Sequence, residues 1–115
     1  VLNGLLESLR KMPPNFNAGD QFQVVALSMD PKEHGVEARG KKNAYLNGDP
    51  KTGQLGYGRP GGEAGWRFLT GTEPNIAKVL DTVGYRFEFD KMLKEYNHPS
   101  AIVILSPQGK VTRYF

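Results

Sequence analysis

Tyr96-Asn97-His98-Pro99-Ser100, running into Ala101-Ile102-Val103-Ile104-Leu105, is the stretch from which the fold is read. The five apolar residues predict a buried strand. A histidine and a proline stand at its mouth. Proline fixes its own φ and restricts the residue before it, so such a loop is rigid and can aim a side chain. Ser106-Pro107-Gln108-Gly109 predicts a turn, and Val111-Thr112-Arg113-Tyr114-Phe115 the returning arm of a hairpin.

Working outward, the chain has 115 residues, 38% apolar and 23% charged. That composition fits a globular chain with one modest core. No apolar run approaches the about 18 residues of a membrane span. Net charge is +3, but the basic residues are dispersed, and the densest cluster, Arg39-Gly40-Lys41-Lys42, reads as a solvated helix face. No nucleic-acid partner is expected. The chain contains no cysteine, so these residues alone supply no disulfide, thiolate ligand or thiol nucleophile.

Upstream, Val1, Leu2, Leu5, Leu6, Leu9 and Met12 recur at helical spacing over residues 1–12, and Pro13-Pro14 ends the helix. No capping residue precedes it, and no basic leader opens the chain. The expectation is that the chain begins inside a helix whose first turn is missing. Residues 22–29 predict a central parallel strand buried on both faces. Asp30-Pro31 offers an N-cap and a first helical residue for a weakly amphipathic helix over about 32–46. Residues 47–65 are rich in glycine but lack the Gly-x4-Gly-Lys-Ser/Thr pattern that cradles phosphate. Lys51 and Gly53 stand where a calcium loop needs oxygen ligands. A flexible rim loop is therefore expected there.

Residues 66–69 predict a short strand, followed by a helix after Thr72 with Ile76, Val79, Leu80 and Val83 on one face and Gly84 just past its end. Tyr85, Phe87 and Phe89 alternate with charged residues, as in a half-exposed strand or hairpin arm. Residues 91–96 read as a connector. The order α-β-α-loop-β-α-β-β-β predicts an α/β fold of thioredoxin-like type: a mixed central sheet flanked by helices, with an irregular Gly-rich insertion, in a single partial domain over 1–115.

Several stretches together resemble the Sco/SenC/PrrC proteins. They are Val1-Leu2-Asn3-Gly4-Leu5-Leu6, Ser28-Met29-Asp30-Pro31-Lys32-Glu33, Gly58-Arg59-Pro60-Gly61, Gly65-Trp66-Arg67-Phe68-Leu69-Thr70-Gly71, His98-Pro99-Ser100, and the run from Ser106 to Phe115. The resemblance spans essentially the whole chain and rests on the order of these motifs rather than on any one of them. It implies a thioredoxin-like fold and a copper-binding metallochaperone that helps build the copper site of cytochrome c oxidase. Such proteins are anchored to the bacterial cytoplasmic membrane, facing the periplasm, or to the mitochondrial inner membrane. For this chain the bacterial periplasmic side is expected. The partners implied are the copper-site subunit of the oxidase, and other copper chaperones or thioredoxin-like reductants.

By the same resemblance, copper, Cu(I) or Cu(II), is held by two cysteines of a Cys-x3-Cys motif and one distant histidine. That histidine corresponds to His98. The cysteine pair would lie before Val1 and the family's final helix after Phe115, so the resemblance implies a domain interior truncated at both ends. Soft thiolates select Cu(I) and an imidazole completes the set, so the donor chemistry is coherent. Asp30 and Pro99 are candidate neighbours of the metal site, Asp30 orienting an imidazole or a docking partner. Asp30 reads equally well as a plain helix cap. His34 reads as an exposed helical residue, and Met12, Met29 and Met92 as packing residues. Trp66 and Arg59 as a partner-docking rim is the less favoured reading. Two alternatives stand beside the metallochaperone: a thiol–disulfide oxidoreductase on the same scaffold, and a cysteine-free thioredoxin-like binding module. The 115 residues by themselves are expected to bind copper weakly and to catalyse little.

Overall fold

A computed structural model describes residues 2–85, 88–90, 95–97 and 102–115. The elements are α1 (Leu2–Arg10), β1 (Val24–Leu27), α2 (Gly35–Asn47), α3 (Gly62–Gly65), β2 (Trp66–Leu69), α4 (Glu73–Val83), β3 (Glu88–Asp90), β4 (Glu95–Asn97), β5 (Val103–Leu105) and β6 (Val111–Tyr114). The fold is mixed α/β. It divides into two compact units, Leu2–Glu73 and Pro74–Phe115.

In the first unit, β1 and β2 pair in parallel, with Val24 opposite Trp66 and Leu27 opposite Leu69. A parallel pair needs a crossover connection, and α2 lies on that path between the strands. Alternation sends Val24 and Trp66 inward, where they join Leu6 and Leu9 of α1, Ala18 and Tyr57 in one core. The other face stays open: Val25 is 58% and Leu69 46% exposed. The expectation of a strand buried on both faces is thus corrected, because the face that carries Val25 and Leu69 is left exposed.

The nine residues of α1 are too few for a stable isolated helix. Burial of Leu6 and Leu9, worth about 1.5–3 kcal/mol for each side chain, supplies much of what propensity cannot. The Gly-rich stretch is corrected from a flexible rim to a packed segment. It carries the buried Tyr57, a bridge between Asp49 and Gln54, and α3. Its glycines permit backbone to lie on backbone: a Cβ on Gly65 would overlap the main chain of Ala18 and Gly19.

In the second unit α4 ends as its sequence predicts. Gly84, at φ 77°, donates its N–H to Asp81 O at 3.1 Å, and Tyr85 donates to Leu80 O at 2.9 Å. This is the paired bond pattern of a glycine-terminated helix. Tyr114 Oη donates to Val83 O at 2.7 Å, tying β6 to the same helix end. β5 and β6 form the predicted hairpin. Gly109, at φ 82°, closes its turn by donating to Ser106 O at 2.9 Å. The strand read as buried is corrected here: Ile104 and Leu105 are exposed, since a two-stranded hairpin leaves apolar side chains uncovered. Of the arm read over residues 85–89, Phe89 lies in β3, Phe87 lies outside the described residues, and the antiparallel partner β4 overlaps the end of the stretch read as a connector. The described strands form three separate two-stranded sheets rather than the single mixed sheet expected.

Candidate functional site

His98 and Pro99, the proposed copper ligand and its neighbour, lie outside the described residues, as does Met92. Asp30 is described. It sits just past β1, at the carboxyl edge of the parallel pair, where open α/β folds place their ligands. It does not cap α2. That helix begins at Gly35 after His34, whose main-chain N–H donates to Glu37 Oε2 at 3.1 Å. Asp30 instead closes a tight turn: its Oδ1 accepts the N–H of Lys32 at 2.9 Å, and its carbonyl accepts that of Glu33 at 3.1 Å. A short acidic side chain before proline competes well for such turns, so the helix starts later than expected.

The polar network at this edge is centred on Glu33. Ser28 Oγ donates to Glu33 Oε2 at 2.6 Å, and Lys41 Nζ lies 2.8 Å from Glu33 Oε1. The Lys41 ammonium, followed by the Ser28 hydroxyl, holds the Glu33 carboxyl below the usual glutamate range, against the opposing effect of burial. The network joins the end of β1 to α2. The basic cluster is therefore partly engaged rather than wholly solvated. Lys42 Nζ donates to Glu63 O at 2.7 Å and lies 3.2 Å from Glu63 Oε1.

The second polar centre holds α1, the helix beside whose first turn the resemblance places the copper thiolates. Its C-terminal end is closed by Arg59. The guanidinium donates to Met12 O at 2.6 Å, to Leu9 O and Arg10 O at 3.2 Å each, to Pro13 O, and through Nε to Asn17 Oδ1 at 2.8 Å. Each of these acceptors is a neutral oxygen. The cation sits where the helix dipole is negative and the last carbonyls lack intrahelical partners. At the other end, Asn3 Oδ1 accepts Tyr45 Oη–H at 2.8 Å and Gln54 Nε2–H at 3.2 Å.

Tyr57 and Gly58 also satisfy the last carbonyls of α2, donating to Tyr45 O at 2.8 Å and Leu46 O at 3.4 Å. Tyr57-Gly58-Arg59 thus fastens the ends of two helices. The reading of Trp66 and Arg59 as a docking rim is overturned: Trp66 is fully buried and Arg59 is turned onto α1. Met12 is corrected from packing to exposed. Sequence reasoning missed Tyr57 and gave Arg59 a different role. The signal was a tyrosine and an arginine set among glycines, a pattern that marks close backbone approach.

The described residues hold no group of three or more His, Cys, Asp or Glu side chains able to hold a metal ion. With no cysteine in the chain, its own residues do not make up the copper donor set that the resemblance implies. Among the described residues no helix is long and apolar enough to cross a membrane. Compared with models of known families, with curated proteins and with solved structures, the chain gives no match.

Proposed function

We propose that this chain is part of a copper-binding assembly factor of the Sco/SenC/PrrC type, serving the copper site of cytochrome c oxidase from the periplasmic side of the membrane. The observation that carries the reading is the ordered series of motifs from Val1-Leu2-Asn3-Gly4 to the Ser106–Phe115 hairpin. The element order is compatible with the thioredoxin-like frame that this reading requires. α1 precedes a parallel β1–β2 pair joined through α2, and an antiparallel hairpin closes the chain. In this reading copper is cargo. His98 contributes one imidazole, and two thiolates come from residues before Val1. Asp30, an exposed carboxylate at the carboxyl edge of β1, is available to a docking partner.

The test is Cu(I) binding by the protein extended before Val1. The expected result is tight binding that His98→Ala weakens by at least about tenfold, the scale of losing one ligand-level interaction. Unchanged affinity in His98→Ala would overturn the ligand assignment. Absence of a Cys-x3-Cys within about ten residues before Val1 would overturn both the copper and the thiol–disulfide readings, because each needs thiolates at a helix start.

A further inference from the structure

We propose that Asn47 is a site of non-enzymatic deamidation, with water as co-reactant, which the folded main chain keeps closed and which any opening at the end of α2 exposes. Glycine follows asparagine at two places, Asn3-Gly4 and Asn47-Gly48. A glycine after asparagine presents its nitrogen to the side-chain carbonyl with no Cβ in the way. At position 48 the fold requires that glycine: its φ is 88°, and a Cβ there would crowd the carbonyl oxygen of Gln54. The residue that the turn demands is thus the one that sensitises Asn47. The reaction proceeds in two steps. The Gly48 nitrogen gives up its proton and attacks Asn47 Cγ. The new C–N bond closes a five-membered succinimide, and the Cγ–Nδ2 bond breaks as ammonia leaves with that proton. Water then opens the ring. Opening at Cγ leaves aspartate. Opening at the Asn47 main-chain carbonyl leaves isoaspartate, whose backbone runs through the side chain and is one atom longer.

Water is not what the fold withholds. Asn47 is exposed, and Asn47, Gly48 and Gln54 line an open groove. Geometry holds the reaction back. The Gly48 N–H donates to Ala44 O at 2.8 Å, which commits the attacking nitrogen to the helix. Asn47 is the last residue of α2, and a helical side chain leans toward the N-terminus of its helix, away from the next nitrogen. Asn47 Nδ2 is held in that direction by donating to Asn43 Oδ1 at 2.8 Å. The Gly56 main chain lies so close that a Cβ on it would overlap Asn47 C and Gly48 N. That contact fixes the Asn47–Gly48 peptide, and it leaves no room for the longer isoaspartate backbone. Deamidation therefore turns a passing opening of this segment into a permanent one.

Peptide mapping by mass spectrometry at mildly alkaline pH, where the amide proton is lost more readily, tests this and follows Asn47 apart from Asn3. Asn47 in the native protein is expected to deamidate at least about tenfold more slowly than in guanidinium chloride at the same pH, because only open molecules react. Gly56→Ala pushes the two backbones apart. Asp49→Ala removes the Oδ1 acceptor of the Lys51 N–H from the turn that Asp49 and Gln54 close. Each is expected to narrow that ratio several-fold. Should Gly56→Ala not fold, Asp49→Ala makes the same comparison. Returned to native buffer, molecules with isoaspartate at position 47 are expected to lose hydrogen-exchange protection at the amides of Gly48 and Tyr57, which donate to Ala44 O and Tyr45 O in the parent. Equal rates in the two conditions, a ratio unmoved in a folded variant, or full protection in the isoaspartate form would each overturn the proposal.

Discussion

The phenolic oxygen of Tyr57 accepts the main-chain N–H of Ala18 at 2.9 Å, across 39 residues of sequence and out of contact with water. Ala18 is fully buried, so this amide has no solvent to turn to. Tyr57→Phe keeps the ring against Trp66, 5.5 Å between centroids, and removes only the acceptor. Leaving a buried donor unpaired costs about 1–3 kcal/mol. Urea unfolding of Tyr57→Phe is expected to show a loss in that range with an unchanged denaturant slope. A loss below about 0.5 kcal/mol would mean that the amide finds another partner.

Gly65 and Gly4 make opposite predictions from the same substitution. A Cβ on Gly65 would overlap the backbone of Ala18 and Gly19, and backbone cannot swing aside as a side chain can. Gly65→Ala is expected to cost at least about 3 kcal/mol or to prevent folding. Gly4 lies inside α1 with nothing within 4 Å of the added methyl. There Gly4→Ala is expected to stabilise by about 0.5–1 kcal/mol, because alanine loses less backbone entropy in a helix. Thermal unfolding of the two variants should shift in opposite directions, and a stabilised Gly65→Ala would show that the Ala18–Gly19 backbone is not held against α3.

Helical spacing of Leu2, Leu5, Leu6 and Leu9, and the Gly84 stop after Val83, placed α1 and α4 within two residues of their ends. These signals are local and repeat along the chain, which is why they read well. The hairpin turn at Ser106–Gly109 read well for the same reason. What the sequence concealed was long-range. Nothing near Arg59 in the chain points to carbonyls 46 to 50 residues away. Nothing near Tyr57 points to Ala18. A Gly-rich run looks flexible when taken alone, yet the same lack of side chains lets two backbones touch. Asp30 misled in the other direction, since an Asx-turn and an N-cap draw on one chemistry and share a sequence signature. The copper assignment at His98 rested on resemblance, and the described residues leave it a proposal.

Trp66 is the chain's one tryptophan and is fully buried, which makes it a reporter of the first unit's core. It stands between Tyr57 and Phe68, with ring centroids at 5.5 and 6.4 Å. Its emission is expected to be blue-shifted from that of tryptophan in water and resistant to quenching by iodide. Quenching of the parent protein at the rate of free tryptophan would contradict the burial of Trp66 in the core it shares with Leu6 and Leu9.

Glu33 links stability to pH. Lys41 first, then Ser28, lowers its carboxyl below the ordinary value, and the unfolded chain has neither contact in place. The unfolded state therefore binds its proton at a higher pH than the folded state does. It follows that the stabilisation is fully present above the ordinary glutamate pKa. It is lost progressively as pH falls through that value and on through the lowered folded one. Glu33→Gln removes the ion pair and leaves a neutral group beside Ser28. The gap in stability between the parent and this variant is expected to be constant near neutral pH and to shrink on acidification through the carboxylate range. Lys41→Met is expected to produce the same pH profile, since the ammonium is the leading cause of the shift. A gap that stays constant down to the acid limit of folding would show that the Glu33 carboxylate gains nothing from Lys41 in the folded state.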